Sequence, residues 1–154
     1  MADLFPEGYK DETGVIAITR KPIGYRESIF YNDEKGDCEI DGKRKIKTAS
    51  GIEAWKQWCM NCIDTDRYMY PCYSSDFGID YDFIRRAYNE GGEALAEAII
   101  RKEISDALIA DDYKRTRSVT DFEFDWTVPD AVKVNCTVIG IAQASIDLSV
   151  KLGL

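Results

Sequence analysis

The last third of the chain is written in a period of two. Phe122, Phe124, Trp126 and Val128 alternate with Asp121, Glu123, Asp125 and Thr127. After Pro129-Asp130, Val132, Val134, Cys136 and Val138 alternate with Lys133, Asn135 and Thr137. Ile146, Leu148, Val150 and Leu152 alternate again in the tail. Successive side chains of a strand point to opposite faces, so each segment predicts a strand with one apolar and one wet face. The first two segments predict a hairpin about Pro129-Asp130. The tail is either a third strand of the same sheet or an arm that pairs with another chain.

Upstream, the period changes. Ser50 is a good N-cap with Glu53 three residues on, as a capping box requires. Ile52, Trp55, Trp58 or Cys59, and Cys62 then recur at helical spacing, predicting a helix over about 50–63. Tyr68 and Tyr70 alternate as in a strand that Pro71 breaks, and Ser74 to Gly78 is turn chemistry. Asp80 caps a short helix with Phe83, Ile84 and Ala87 on its apolar side, ended by Gly91-Gly92. A longer helix follows over about 93–110, with Leu95, Ala98, Ile99, Ile104, Ala107 and Leu108 as its core stripe. Asp111 and Asp112 stand at its C-terminal end, where the helix dipole disfavours acids, and Lys114, Arg115 and Arg117 follow to neutralise them.

The N-terminal third is less regular. Residues 1–12 hold four acidic side chains with Pro6 and Gly8 and predict an extended arm. Residues 14–19 are strand-like by β-branched content. Asp41-Gly42 between Cys38-Glu39-Ile40 and Lys45-Ile46-Lys47 predicts a small hairpin. The expected organisation is an arm and hairpin over 1–49, then an α+β domain over 50–154. In that domain a small antiparallel sheet packs against two or three helices.

Composition removes several chemistries. The 154 residues include no histidine, so Ser-His-Asp triads, Cys-His dyads and His-ligated metals are excluded. The formal charge is −8, which repels phosphate backbones. Residues 1–50 carry nine basic and ten acidic side chains and residues 51–154 carry eleven and eighteen, so the acidity sits in the second part. No apolar run approaches a membrane span, and the N-terminus lacks the pattern of a signal peptide. The five cysteines are odd in number and read as reduced thiols, with Cys59 and Cys62 as small apolar residues near a helix face. A zinc or redox module built on Cys59, Cys62 and Cys72 is an alternative that lacks a fourth ligand. A glycosidase pair among Asp64, Asp66, Asp76, Asp80 and Asp82 is another, although acids at turns and caps are expected anyway. Phosphate-binding loops and nucleophile elbows are absent. The basic run Lys43–Lys47 reads as a solvated face or a protein contact.

Arg67-Tyr68-Met69-Tyr70 and Tyr73-Ser74-Ser75-Asp76-Phe77-Gly78 carry a resemblance. With the helix from Gly51 to Trp58, the stretch to Asp112 and Ser118–Phe124, they resemble contractile-tail proteins of the defective-prophage type. That group is related to the lysozyme-like baseplate wedge proteins, also called sheath initiators. The resemblance spans roughly residues 50–140. It implies a structural subunit in the baseplate of a phage tail or tailocin, made in the bacterial cytoplasm, with six copies per ring and no cofactor. The implied partners are the wedge proteins of the core bundle and the sheath protein, which adds strands to the subunit's sheet, with hub or tube proteins as further neighbours. Nucleic acid and membrane are not among them, and hydrolysis is not implied. The wider family carries Glu-Pro-Arg after its long helix, where this chain has Asp112-Tyr113-Lys114-Arg115. The partner-binding residues expected on this basis are Arg67, Asp111, Asp112, Lys114, Arg115 and Arg117, with Ile146, Leu148 and Val150 of the tail.

Overall fold

The structure, a computed structural model, describes residues 24–32 and 34–154. The expected arm over 1–12 and strand over 14–19 lie outside the described residues. In chain order the elements are β1 (Glu27–Ile29), β2 (Tyr31–Asn32), β3 (Asp37–Cys38), β4 (Thr48–Ser50), α1 (Ile52–Asp64), α2 (Tyr81–Ile109), β5 (Thr116–Asp125), β6 (Ala131–Gly140) and β7 (Ser145–Gly153). Small antiparallel sheets, of two, two and three strands, combine with the helices in a small α+β fold.

The three-stranded sheet has the order β5-β6-β7 and is antiparallel throughout. Its register follows from the alternation. Val132, Val134, Cys136 and Val138 stand opposite Leu152, Val150, Leu148 and Ile146, and all eight are buried. Lys133, Asn135 and Thr137 stand opposite Lys151, Ser149 and Asp147 on the other face. A one-residue slip would exchange the two faces, so the pattern pins the pairing. Burying an aliphatic side chain is worth about 1.5–3 kcal/mol. Burial of four such residues in the tail offsets the entropy of ordering nine residues only together with the ladder hydrogen bonds that the matched edge of β6 supplies. The tail is therefore the third strand of this sheet, and Ile146, Leu148 and Val150 point into the chain's own core.

Helices α1 and α2 cover the apolar face. Trp55, Cys59, Cys62 and Ile63 of α1 and Ile84, Ile100, Ile104, Ala107 and Leu108 of α2 join the sheet residues in one core. The Ser50 capping box does not form: Ser50 ends β4, opposite Glu27, and Gly51 is the N-cap with no side-chain hydrogen bond. Pairing with β1 uses the backbone that a cap would need in another conformation. Asp80 does cap α2, its Oδ1 accepting from Phe83 N at 2.8 Å. The expected break between two helices is present within α2 at Gly92, whose φ of 67° and ψ of −160° leave the helical region. The break rotates the stripe after it: Ala96, Ile100, Ile104, Ala107 and Leu108 are buried, whereas Leu95 and Ala98 are exposed.

Two strand expectations move. Residues 67–70 form turns, not a strand. β5 begins at Thr116 and ends at Asp125, before Trp126 and Val128, because Asp125 Oδ1 accepts from Thr127 N and turns the chain. The Asp41-Gly42 hairpin is present as a single bridge, Ile40 to Ile46, with Asp41 Oδ1 accepting from the amides of Lys43 and Lys45.

Gly92 yields a test. Its backbone lies in a region closed to side chains, so Gly92→Ala either strains the kink or straightens α2 and pulls residues 81–91 off the core. Urea denaturation should show a loss of about 1–3 kcal/mol. An unchanged midpoint would mean the kink is not required.

Candidate functional site

Two surfaces can serve a partner: the loop between the helices with the adjoining helix end, and the edges of the three-stranded sheet.

The loop runs from Thr65 to Ile79 and is closed at its neck. Arg67 N donates to Ile79 O at 2.9 Å and Ile79 N to Thr65 O at 3.1 Å. Gly78 has a φ of 92°, and a Cβ there would lie 2.6 Å from Thr65 O, so the neck admits only glycine. Below the neck, Arg67 Nη2 meets Glu103 Oε2 at 3.0 Å and also donates to Gly78 O at 3.0 Å. Glu103 sits in the apolar stripe of α2, three residues after Ile100, and is 3% exposed. Its Oε2 also accepts from Asp80 N at 3.1 Å, so one buried carboxylate ties the loop, the start of α2 and its middle together. Above the neck the loop is aromatic and exposed. Tyr70, Tyr73 and Phe77 form a run of ring contacts ending on Trp58, while Tyr68 and Met69 face solvent.

The end of α2 is built on a second buried pair. Arg115 Nε lies 2.7 Å from Asp111 Oδ2 and Arg115 Nη2 lies 3.1 Å from Asp111 Oδ1, a two-pronged geometry. The same carboxylate accepts from Tyr113 N and Arg115 N. The guanidinium also lies over the rings of Trp58 and Tyr113, 4.8 and 5.3 Å from their centroids. These donors resolve the unfavourable acid at the helix end: Asp111 caps the turn that follows the helix. Asp112, Lys114 and Arg117 remain exposed beside it. Between this turn and the loop lies an open groove of about 320 Å³, lined among others by Trp58, Tyr73, Asp76, Phe77, Ala110 and Asp112.

The sheet edges differ. β5 carries two register breaks, at 116–118 and 120–123, with Asp121 at a φ of 53°. Arg101 of α2 lies over Phe122 and Phe124, and Trp126 Nε1 donates to Glu97 of α2 at 3.0 Å. Bulges and a packed helix are ordinary protection for an edge. β7 has no bulge: it pairs with β6 over nine residues without a break, and among the described strands nothing pairs with its other side.

The expected site residues thus divide. Arg67, Asp111 and Arg115, expected to bind a partner, have their charges matched inside the fold, Asp111 and Arg115 buried and Arg67 half-buried. Asp112, Lys114 and Arg117 stay at the surface. Ile146, Leu148 and Val150 have buried side chains, so what their strand offers a partner is backbone. Glu103 was not singled out from the sequence, although a lone carboxylate within an apolar helical stripe is the signal that finds it. Among the acids weighed for a glycosidase pair, two have structural roles. Asp80 is a cap and Asp82 pairs with Arg85 at 3.1 Å. Among the described residues, no group of three or more Cys, Asp or Glu side chains is placed to hold a metal ion. Burial raises the Cys59 thiol and pushes Cys62 and Cys136 up to about 11. No helix among the described residues is long and apolar enough to cross a membrane.

In comparison with known families, the family model of the contractile injection system sheath initiator matches residues 27–143. No curated protein matches the chain.

Removing one partner of a buried ion pair leaves the other uncompensated. Arg115→Met should therefore cost about 3–5 kcal/mol in urea denaturation, against under about 0.5 kcal/mol for Asp112→Lys. Pairing Arg115→Met with Asp111→Leu should recover part of the loss, but not the acceptor of the Tyr113 and Arg115 amides. The thiols give a second test. At pH 8 a thiol of pKa about 11 is ionised in roughly one molecule in a thousand. With a disulfide reagent, exposed Cys72 should react quickly and Cys59, Cys62 and Cys136 only after unfolding. Fast labelling of Cys59 and Cys62 in the folded chain would revive the redox reading.

Proposed function

This chain belongs to the sheath initiators of contractile injection systems, and from that membership we propose that it is a non-catalytic baseplate subunit joining wedge proteins to the first sheath ring. The observation that carries the proposal is the unbroken edge of β7. A strand presented by the sheath protein adds to that edge through main-chain hydrogen bonds, and the alternating pattern of β7 selects a strand of matching period. The chain then acts as the first template of the sheath lattice within the particle. The opposite edge is interrupted by two register breaks, so addition favours the β7 edge.

The wedge proteins meet the other surface: the exposed aromatic loop and the groove beside Asp112, Lys114 and Arg117. Aromatic side chains offer large contact area at small entropic cost, and the charges around them fix orientation. The second part of the chain is acidic, so these partners present basic surfaces. Rigid support for this surface comes from the two internal ion pairs, which hold the loop and the helix end to the core.

Hydrogen exchange on the dilute full chain tests the reading. Amides of residues 145–153 that point away from β6 should exchange quickly in the free chain and slow on addition of the sheath protein from the same particle. Protection of the loop at 67–77 with none in β7 would assign the sheath to the wrong surface and overturn strand addition.

A further inference from the structure

The sequence of β7 is complementary to itself. We propose that free copies of this chain pair through β7 about a two-fold axis, making one six-stranded sheet from two three-stranded ones. β7 runs from Ser145 to Gly153, so its midpoint is Ser149. In a fully overlapped antiparallel pairing, Ser149 faces Ser149 of the other copy. Asp147 of each copy then faces Lys151 of the other, giving two opposite-charge pairs on the wet face. On the helix-covered face, Leu148 meets Val150 and Ile146 meets Leu152. Directly opposed residues share a face, so the apolar faces of both copies become continuous.

Charge selects this register. Moving the axis to Leu148 puts Asp147 opposite Ser149, and moving it to Val150 puts Asp147 opposite Gly153. Either shift loses both charge pairs and leaves strand ends unpaired. An exposed lysine on an edge strand ordinarily discourages pairing. Here the residue it meets in the best-overlapped register is an acid, so the guard becomes a selector. Asp147 is held for this role: Thr137 Oγ1 of β6 donates to its Oδ1 at 2.9 Å and keeps the carboxylate above the wet face. Asp147, Ser149 and Lys151 are all exposed. The two-fold arrangement is isologous and closes on itself, so it gives a dimer and not a fibre.

Exposed ion pairs contribute little each, so the dimer is weak and dependent on concentration. Its consequence for assembly rests on the strand-addition reading above, although the pairing itself does not. A second copy on the β7 edge keeps it from meeting sheath strands away from the baseplate. Once wedge proteins hold the copies apart, the edge opens.

Sedimentation of the full chain over a range of concentrations tests the dimer. The unmodified chain should move from monomer to dimer as concentration rises. Lys151→Asp alone, or Asp147→Lys alone, places like charges opposite each other twice and should weaken association by at least about tenfold. The double variant Asp147→Lys with Lys151→Asp should restore it, which also shows that the single variants failed by charge and not by misfolding. In a Cys72→Ser background, Ser149→Cys should form a disulfide-linked dimer under mild oxidation, and Asp147→Cys should not. A chain that stays monomeric throughout, an association unaffected by the single reversals, or a double variant that does not recover would each overturn the pairing. The two readings fail separately. A dimer with no sheath protection of β7 would end strand addition alone, and sheath protection of β7 in a strictly monomeric chain would end the dimer alone.

Discussion

A three-stranded sheet with one apolar face is not stable until that face is covered, and the rest of this fold answers that requirement. β6 and β7 present eight buried side chains in matched register. Covering them takes two helices, and those must cross the sheet without leaving gaps at its ends. The kink at Gly92 serves this. It lets the first turns of α2 bury Ile84 and Ala87 while the later turns bury Ile100, Ile104 and Leu108 on a rotated stripe.

Charge is buried where the covering elements meet. Glu103 with Arg67 closes the loop onto α2, and Asp111 with Arg115 closes the end of α2 onto β5. Each pair would be unfavourable as an isolated ion pair in a low-dielectric interior. Each is made tolerable by backbone amides that fill the remaining oxygen positions, Asp80 N on Glu103 and Tyr113 N and Arg115 N on Asp111. The pairs therefore act more on geometry than on stability. They fix where an exposed aromatic loop and an exposed charged turn stand relative to the sheet, which is what an assembly subunit needs of its surfaces.

The same sheet supplies an asymmetry of function. One edge is bulged and packed against α2, and the other is regular. The chain belongs to the sheath initiators of contractile injection systems, and the strand addition proposed for it would use the regular edge. Asp147 and Lys151 lie exposed on the wet face of that edge strand, which is where the proposed self-pairing would read charge.

Periodicity determined much of this protein by itself. The strands, the hairpin at Pro129-Asp130, the cap at Asp80 and the break at Gly92 are local effects, and local effects leave a mark in a short window of sequence. The block from Arg67 to Gly78 was legible as a family signature, but its meaning as a closed loop was not. Only the tertiary structure decided which charges are matched within the fold. Arg67, Asp111 and Arg115 look like surface residues because charged side chains usually are, and their internal pairing depends on acids and aromatic rings that the fold brings beside them. The tail was undecided for a similar reason. An alternating strand carries no information about whose sheet it completes until the edge of β6, with its matching period, is in place beside it.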